Sequence, residues 1–197
     1  ESSAFPRDSE KWRLLEHLDN LFKYNVFFLT GPRQKNIFKK EGIIAACAEK
    51  EIAIFEVGYP KSDALINKEY EKSEIKKQLG LNIQKPTIIY APTWESTTSL
   101  INNGIDIIST LATLDVNFLV KLHQMSLRKP EDIKATGGID WRKKIAEIQI
   151  HSPNLRIVSG HNSNPYLCIS DVLITDVSSI CFEFILMDKP VVYFNVP

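Results

Sequence analysis

The sequence predicts an α/β fold built on a mostly parallel sheet, and three observations support this class. From residue 87 onward, short apolar runs alternate with segments whose apolar residues recur at helical spacing. Turn residues and prolines separate these segments, and polar residues follow the ends of the apolar runs. Strands separated by helices are typical of right-handed βαβ units, whose helices cover both faces of the sheet.

The first 58 residues hold elements that do not continue this rhythm. Residues 9–23 have an amphipathic pattern that predicts a helix. A strand, a helix interrupted near Gly42 and a second strand are predicted at 26–29, 34–49 and 52–57. We therefore assign residues 1–58 to a separate part of the molecule. The charged segment 68–77 predicts a surface helix that joins the two parts.

From residue 87 the elements alternate regularly. The predicted strands lie at 87–91, 117–122, 155–158, 172–175 and 191–194. The predicted helices lie at 99–113, 140–150, 164–169 and 179–187. In such sheets, ligands bind outside the carboxyl ends of the strands. Trp94, His123, Gly160 and Asp176 each follow a predicted strand, so we expect these four positions to lie along one edge.

The most informative segment is 170–194, which reads as a strand, a polar turn, a helix and a strand. Thr175 and Asp176 end the first strand, and Ser178 and Ser179 precede an apolar helical segment. Backbone N–H groups and serine hydroxyls at a helix N-terminus favour an anion, most often a phosphate. The alternative is that Asp176 or Ser178 only caps the helix, and the segment alone leaves both interpretations open.

Four motifs occur in the order found in one known family, over roughly residues 58 to 195. DVLITDVSS at 171–179 resembles that family's DVLITDYSS, GYPKSD at 58–63 its G-x-P-R-x-D, IYAPTW at 89–94 its Y-A-P-T-W, and KLH at 121–123 its K-x-H-P. The family is that of the CDP-glycerol glycerophosphotransferases, which polymerise or prime teichoic-acid-like chains. The sequence departs from the family pattern at four positions: Lys61, Glu95, Gln124 and Val177.

The resemblance implies a GT-B-like architecture, with a Rossmann-like nucleotide-binding domain at 59–197 and the tail of an N-terminal, acceptor-side domain at 1–58. It implies a transferase that moves glycerol phosphate, or a similar polyol phosphate, from a CDP-polyol to a hydroxyl acceptor in cell-wall polymer synthesis. The CDP-polyol is a substrate, so no cofactor and no metal are expected. Because the family's other histidine motif lies upstream of these residues, we expect a fragment with little activity of its own.

The resemblance assigns His123 to catalysis, in proton transfer or donor binding, which suits a group whose ordinary pKa is about 6.5. It assigns the donor and its phosphates to a larger set of residues: Lys61, Thr93, Trp94, Thr175, Asp176, Ser178, Ser179 and Glu183. Structural alternatives stay open for these side chains, such as a buried histidine, a solvated lysine or a core tryptophan. His151 and His161 match no motif, and we assign them to structural or solvent-exposed positions.

Composition and absent motifs exclude several other classes. Lys and Arg number 24, as do Asp and Glu, so no net charge points to nucleic acid or to an anionic membrane. The chain has no phosphate loop, G-x-G-x-x-G fingerprint, H-E-x-x-H motif or G-x-S-x-G elbow. Two alternatives remain open: a GT-B glycosyltransferase or epimerase that uses a UDP-sugar, and a non-catalytic nucleotide-binding fragment.

The expected location is the cytoplasm. The three cysteines stand singly in apolar surroundings, which is typical of reducing compartments. No apolar run approaches the ~18 residues of a membrane span, so any contact with the inner face of the membrane is expected to be peripheral and through parts not present here. The start of the chain, ESSAFP, has no signal-peptide pattern, so we expect a processed or excised fragment.

Overall fold

The computed structural model describes residues 22–94 and 97–196. The chain divides into two compact units, Glu1–Asp63 and Ala64–Pro197. The sequence places the boundary a few residues earlier, after residue 58. The helix predicted over 9–23 lies outside the described residues except for its last two, which form a turn.

The first unit contains a small parallel sheet of its own. Its elements are β1 (Val26–Leu29), α1 (Pro32–Lys40), α2 (Ile43–Glu49), β2 (Ala53–Glu56) and a 3-10 turn (Pro60–Ser62). Val26 pairs with Ala53 at the start of the two-stranded register. The helical pattern over 34–49 is interrupted at Gly42, whose φ of +71° is easily adopted only by a residue without a side chain.

The second unit contains a five-stranded sheet. Its elements in chain order are α3 (Asp63–Ile66, which starts at the boundary), α4 (Lys72–Gln78), β3 (Thr87–Tyr90), α5 (Ser99–Leu111), β4 (Asn117–Val120), a 3-10 turn (Gln124–Leu127), α6 (Ile133–Thr136), α7 (Trp141–Ile150), β5 (Leu155–Ile157), α8 (Asn164–Ile169), β6 (Val172–Thr175), α9 (Ile180–Ile185) and β7 (Val191–Tyr193). All strand pairs are parallel, in the order β5-β4-β3-β6-β7. The predicted α/β class and parallel sheet are confirmed. No helix in the described ranges is long and apolar enough to cross a membrane.

Helices cover both faces of this sheet, because successive strand residues point to opposite sides. Ile88 and Tyr90 of β3 belong to the core cluster under α5 and α7. Ile89, between them, belongs to the cluster under α8 and α9. Every residue of β3 and β4 is buried, which is why these strands read as continuous apolar runs. The sheet is therefore doubly wound.

The charged segment before β3 differs from its prediction. It forms α4 at 72–78, which is shorter than predicted, and it lies inside the second unit. Ile75 and Leu79, one helical turn apart, pack against the cluster under α8. The surrounding lysines and glutamates stay on the solvent side of the same helix, so charge alone does not identify this segment as a connector.

Candidate functional site

The carboxyl ends of the strands gather the polar loops of the second unit along one edge. The chain passes from β3 to β4 and β5 on one side, then crosses to β6 and β7 on the other. The point between β3 and β6, where the direction reverses, is the position at which open parallel sheets form ligand crevices. Thr93 and Trp94 follow β3, and residues 176–179 follow β6. His123 follows β4 on the neighbouring side.

Asp176 is the buried centre of the polar loops that meet at this point of the sheet. Its carboxylate accepts hydrogen bonds from the Thr93 backbone N at 2.8 Å, the Ser99 backbone N at 3.0 Å and the Ser99 hydroxyl at 2.7 Å. The residue has no exposed surface. Both of its oxygens are engaged by protein donors, so the structure gives Asp176 a positioning role for the loop after β3 and the start of α5.

Thr175 and Tyr90 complete this buried network. The Thr175 hydroxyl donates to the Ala91 carbonyl at 2.7 Å, which ties the end of β6 to the end of β3. The Tyr90 hydroxyl lies 2.8 Å from the Ser99 hydroxyl. Burial raises the pKa of Tyr90, and the negative charge of Asp176 acts in the same direction, so Tyr90 stays protonated. Thr175, like Asp176, is fully buried and lies beneath the loops at the carboxyl edge of the sheet.

Ser178 and Ser179 lie at the surface of the same turn. Ser178 is half-buried and Ser179 is exposed. Ser179 is the N-cap residue of α9, but its side chain makes no capping hydrogen bond, and the Asp176 carboxylate is engaged elsewhere. The capping alternative named Asp176 or Ser178, whereas the N-cap position of α9 falls on Ser179. Because α9 has six residues, its first-turn amides rather than a long helix dipole would attract an anion here.

Trp94 and His123 form a stacked pair across the ends of β3 and β4. Their ring centroids are 5.9 Å apart and the ring planes are inclined by 23°. Trp94 is half-buried and His123 is exposed, so the indole supports one face of the imidazole and solvent reaches the ring. The structure thus brings these two predicted residues into direct contact.

The hydrogen bond to His123 determines which of its nitrogens carries the proton. Nδ1 accepts from the Met125 backbone N at 3.2 Å, at the start of the 3-10 turn. A nitrogen that accepts carries no proton, so the neutral ring carries its hydrogen on Nε2. Burial, and then the positive charge of Lys121, lower the pKa of His123. His123 is therefore neutral at pH 7 and presents an Nε2–H donor.

The two remaining predicted residues lie elsewhere. Glu183 is buried at 5% exposure within α9, one turn after the serines. Lys61 lies in the first unit, on its exposed 3-10 turn. The residues that the structure brings together on one edge of the second unit are Thr93, Trp94, His123, Thr175, Asp176, Ser178 and Ser179.

A polar pocket that the sequence did not indicate lies between the ends of β4 and β5. We name it the β4–β5 pocket, and its lining is Lys121, Leu122, Gln124, Leu127, Arg142, Ser159 and Gly160. Lys121 donates to the Gly160 carbonyl at 2.9 Å, which joins the loops after the two strands. Gln124 lies 3.2 Å from a ring nitrogen of the exposed His161. In the sequence, Gly160 is recognisable only as a residue that follows a strand, and Arg142 belongs to no motif.

The described residues also lack the side-chain arrangement that a metal site requires. Across residues 22–94 and 97–196, no group of three or more His, Cys, Asp and Glu side chains is arranged to hold a metal ion.

The fold and this edge define a class of protein: a doubly wound α/β domain with a ligand crevice at its topological switch point, as in nucleotide-binding domains. The profile of one family, described as CDP-Glycerol:Poly(glycerophosphate) glycerophosphotransferase, matches residues 8–196. The chain belongs to this family, and the resemblance read from the sequence motifs is confirmed.

Curated relatives are enzymes of teichoic acid synthesis. The chain is 29% identical over 197 residues to a teichoic acid poly(glycerol phosphate) polymerase of Bacillus spizizenii, which covers 96% of this chain and 42% of that protein. It is 28% identical over 152 residues to a teichoic acid glycerol-phosphate transferase of Staphylococcus aureus, covering 72% of this chain and 35% of that protein. The chain thus spans less than half the length of these relatives.

Solved structures support the fold. The wall teichoic acid polymerase TagF matches with a TM-score of 0.63 and 23% identity, over 98% of this chain and 44% of TagF. A TagF variant soaked with CDPG matches with a TM-score of 0.60 and 22% identity, over 98% of this chain and 43% of that one. The predicted GT-B-like fold is confirmed by this similarity.

Proposed function

We propose that this chain is the donor-binding part of a transferase that moves glycerol phosphate, or a similar polyol phosphate, from a CDP-polyol to a hydroxyl acceptor in wall polymer synthesis. Family membership and the teichoic acid relatives support the reaction class. The observation that carries the proposal for this chain is the position of Asp176 at the topological switch point between β3 and β6, where its buried carboxylate holds the loops that carry Thr93, Trp94 and the two serines.

In the proposed reaction, an oxygen of the acceptor hydroxyl forms a bond to the β-phosphorus of the donor. The bond between that phosphorus and the oxygen bridging to the α-phosphate breaks, and CMP leaves with the electron pair. The hydroxyl proton passes to a base or to water. Such phosphoryl transfers depend mainly on positioning and on neutralising the charge that develops, which is what a preformed crevice with hydrogen-bond donors supplies.

The exposed and half-buried residues at the carboxyl edge of the second unit have separate roles in this proposal. Ser178 and Ser179 donate hydroxyl hydrogens to the pyrophosphate, assisted by the first-turn amides of α9. Thr93 contacts a phosphate or the ribose, and Trp94 shapes the pocket and holds the His123 ring. The family resemblance also assigns a ribose hydroxyl to Glu183, which is buried in α9, and the pyrophosphate to Lys61, and both assignments stay predictions.

His123 acts in this scheme as a donor of a hydrogen bond to the transferred phosphate. The neutral ring presents Nε2–H, while its unprotonated Nδ1 is engaged by Met125. A general base would need a free unprotonated nitrogen facing the acceptor hydroxyl. Of the two roles that the family resemblance implies for His123, binding of the CDP-polyol donor therefore has the better geometric support. We expect the reaction to take place in the cytoplasm.

The test is nucleotide binding by the 197-residue chain, measured by calorimetry with CDP, UDP and CDP-glycerol. We expect CDP to bind at least about tenfold more tightly than UDP, a difference of ~1.4 kcal/mol, because cytosine and uracil differ in donor and acceptor at one edge. The double variant Ser178→Ala, Ser179→Ala should weaken CDP binding by about tenfold or more, since charge-assisted hydrogen bonds contribute about 1.5–3 kcal/mol each.

Ser109→Ala is the matched control, because Ser109 is an exposed serine of α5 in the half of the helix remote from the crevice. It should leave both nucleotide affinities unchanged. Unchanged CDP affinity in the folded double variant would remove the serines from the site. Tighter binding of UDP than of CDP would indicate a UDP-sugar enzyme instead, and no response to any nucleotide would indicate a non-catalytic domain.

A further inference from the structure

We infer that the β4–β5 pocket binds a second phosphate group, one that does not belong to the donor pyrophosphate. Two cations from different elements line it: Lys121 from the loop after β4 and Arg142 from the first turn of α7. Gln124 and Ser159 add neutral hydrogen-bonding groups. Among residues 22–94 and 97–196, no acidic side chain lines the pocket, so the charge of its described lining favours an anion.

Arg142 differs from the charged residues around it. Lys144 pairs with Glu147 on the same helix, and Arg128 pairs with Asp132 nearby. Within the described residues, Arg142 makes no hydrogen bond or ion pair, although its side chain lines the pocket. A guanidinium offers a planar fork of donors that matches two oxygens of a phosphate. The geometry thus leaves the strongest phosphate-binding group of this region available to a ligand.

The backbone of the loop after β5 is held from the other side of the pocket. Gly160 has a φ of +107°, a conformation that a glycine adopts easily. The Gly160 carbonyl is held by the Lys121 ammonium. The loop after β5 is therefore fixed from the β4 side, which positions the pocket wall before any ligand binds.

Strand spacing separates this pocket from the proposed pyrophosphate site. β3 lies between β4 and β6, and neighbouring strands are about 4.8 Å apart, so the loop after β6 and the β4–β5 pocket are roughly 10–12 Å apart. The two phosphorus atoms of a pyrophosphate share one oxygen and cannot occupy both places. His123, at the end of β4, lies between them.

The ligand class is a phosphate monoester or diester of a polyol, and this assignment rests on the proposed function. A polyol phosphate acceptor carries its own phosphate close to the hydroxyl that attacks. With that phosphate on Arg142 and Lys121, the hydroxyl would be directed toward the donor phosphate near His123. The pocket would then orient the acceptor, whereas the crevice at β3 and β6 holds the donor.

The probes are sn-glycerol 3-phosphate and a synthetic glycerol phosphate trimer, titrated into the 197-residue chain with and without saturating CDP and followed by ³¹P NMR. We expect Arg142→Ala to weaken binding of both probes by about 10- to 100-fold, the loss expected for charge-assisted hydrogen bonds. CDP affinity should not change. Lys143→Ala is the matched control, because Lys143 is the next residue of α7, is exposed and does not line the pocket.

Equal probe binding by the wild type and Arg142→Ala, or no probe binding by the wild type, would overturn the inference. If CDP displaced the probes and Arg142→Ala weakened CDP, the pocket would belong to the donor, and the assignment to the acceptor would be wrong. Failure of the proposed function is distinguishable: CDP would not bind, while probe binding that depends on Arg142 would persist and support the pocket. Thermal unfolding of each variant establishes that it is folded.

Discussion

The two edges of the five-stranded sheet use polar side chains in different ways. At the amino edge, Asn117, Asn154, Asp171 and Lys189 each bond to the backbone of a neighbouring loop or helix end. At the carboxyl edge, the buried side chains of Thr175 and Asp176 do so, whereas His123, which also bonds to a backbone N–H, and Ser179 are exposed to solvent. The polar side chains of the amino edge are thus bonded to backbone groups of the protein. The carboxyl edge instead has a buried layer of hydrogen-bonded side chains with solvent-exposed side chains above it.

Asp176 explains how the open surface is held. A carboxylate buried without partners would be strongly destabilising, but Asp176 accepts from two segments that are remote in sequence. Under the proposed function, buried polar groups shape the ligand site and exposed ones contact the ligand, so we expect the two groups to respond differently to substitution.

The largest expected effect comes from an exposed residue. His123→Asn, in a chain of the length of its polymerase relatives, should lower turnover by about 10²–10³-fold, since the variant loses the Nε2–H hydrogen-bond donor to the developing phosphate charge. Stability should hardly change, because an asparagine oxygen can still accept from the Met125 backbone N. Steady-state turnover and thermal unfolding measure the two quantities.

A buried histidine that serves packing would give the opposite result, with turnover kept and stability lost. His151→Asn is the matched control, because His151 is an exposed histidine at the end of α7. It should leave both turnover and stability unchanged. Near-normal turnover of His123→Asn would remove His123 from the reaction.

The next largest effect concerns Asp176, in the buried layer of the carboxyl edge. Asp176→Asn should lower the free energy of unfolding by about 2–4 kcal/mol, because an amide cannot accept from Thr93 and Ser99 together and one buried donor is left unsatisfied. The variant should also weaken CDP binding, since the loop after β3 loses its anchor. Urea unfolding and calorimetry of the 197-residue chain test both. Full CDP affinity in a destabilised variant would show that the crevice does not depend on Asp176.

The corresponding residue at the amino edge should affect stability alone. Asn117 is buried at 3% exposure, and its amide donates to the Asn82 carbonyl at 2.8 Å and the Lys85 carbonyl at 3.1 Å. Asn117→Ala should cost about 1–3 kcal/mol of stability and leave CDP affinity unchanged. The exposed Asn103 of α5 is the control, with no expected effect of its substitution. Loss of CDP affinity in Asn117→Ala would contradict a functional division between the edges.

The comparison also separates what the sequence could and could not predict. The strands, the covering helices and the edge at which Trp94 and His123 lie follow from apolar periodicity, which is local. The role of Asp176 does not, because its partners lie 77 and 83 residues away in the chain. A carboxylate after a strand has the same sequence appearance whether it contacts a ligand or holds a loop. Arg142 lines a pocket only because α7 packs beside β5.

The smallest expected effect is a pH dependence at His123. Burial and the charge of Lys121 lower the pKa of His123 below its ordinary value of about 6.5. The unfolded chain therefore binds this proton more readily than the folded one. As pH falls from 6.5 through the folded-state pKa, the wild type should lose stability relative to His123→Asn, and above pH 6.5 the difference should be constant.

Lys121→Met sharpens this last test, because it removes the positive charge that disfavours protonation of His123 and keeps most of the aliphatic side chain. The pKa of His123, followed by the imidazole proton shifts in NMR, should move upward toward its ordinary value. The matched variant Lys129→Met should leave it unchanged, since Lys129 is an exposed lysine of the same connection that does not contribute to the shift. A pKa above about 7 in the wild type would mean that the ring is mostly charged at neutral pH. The Nε2–H donor would then belong to an imidazolium, and proton transfer by His123 would regain support over donor binding.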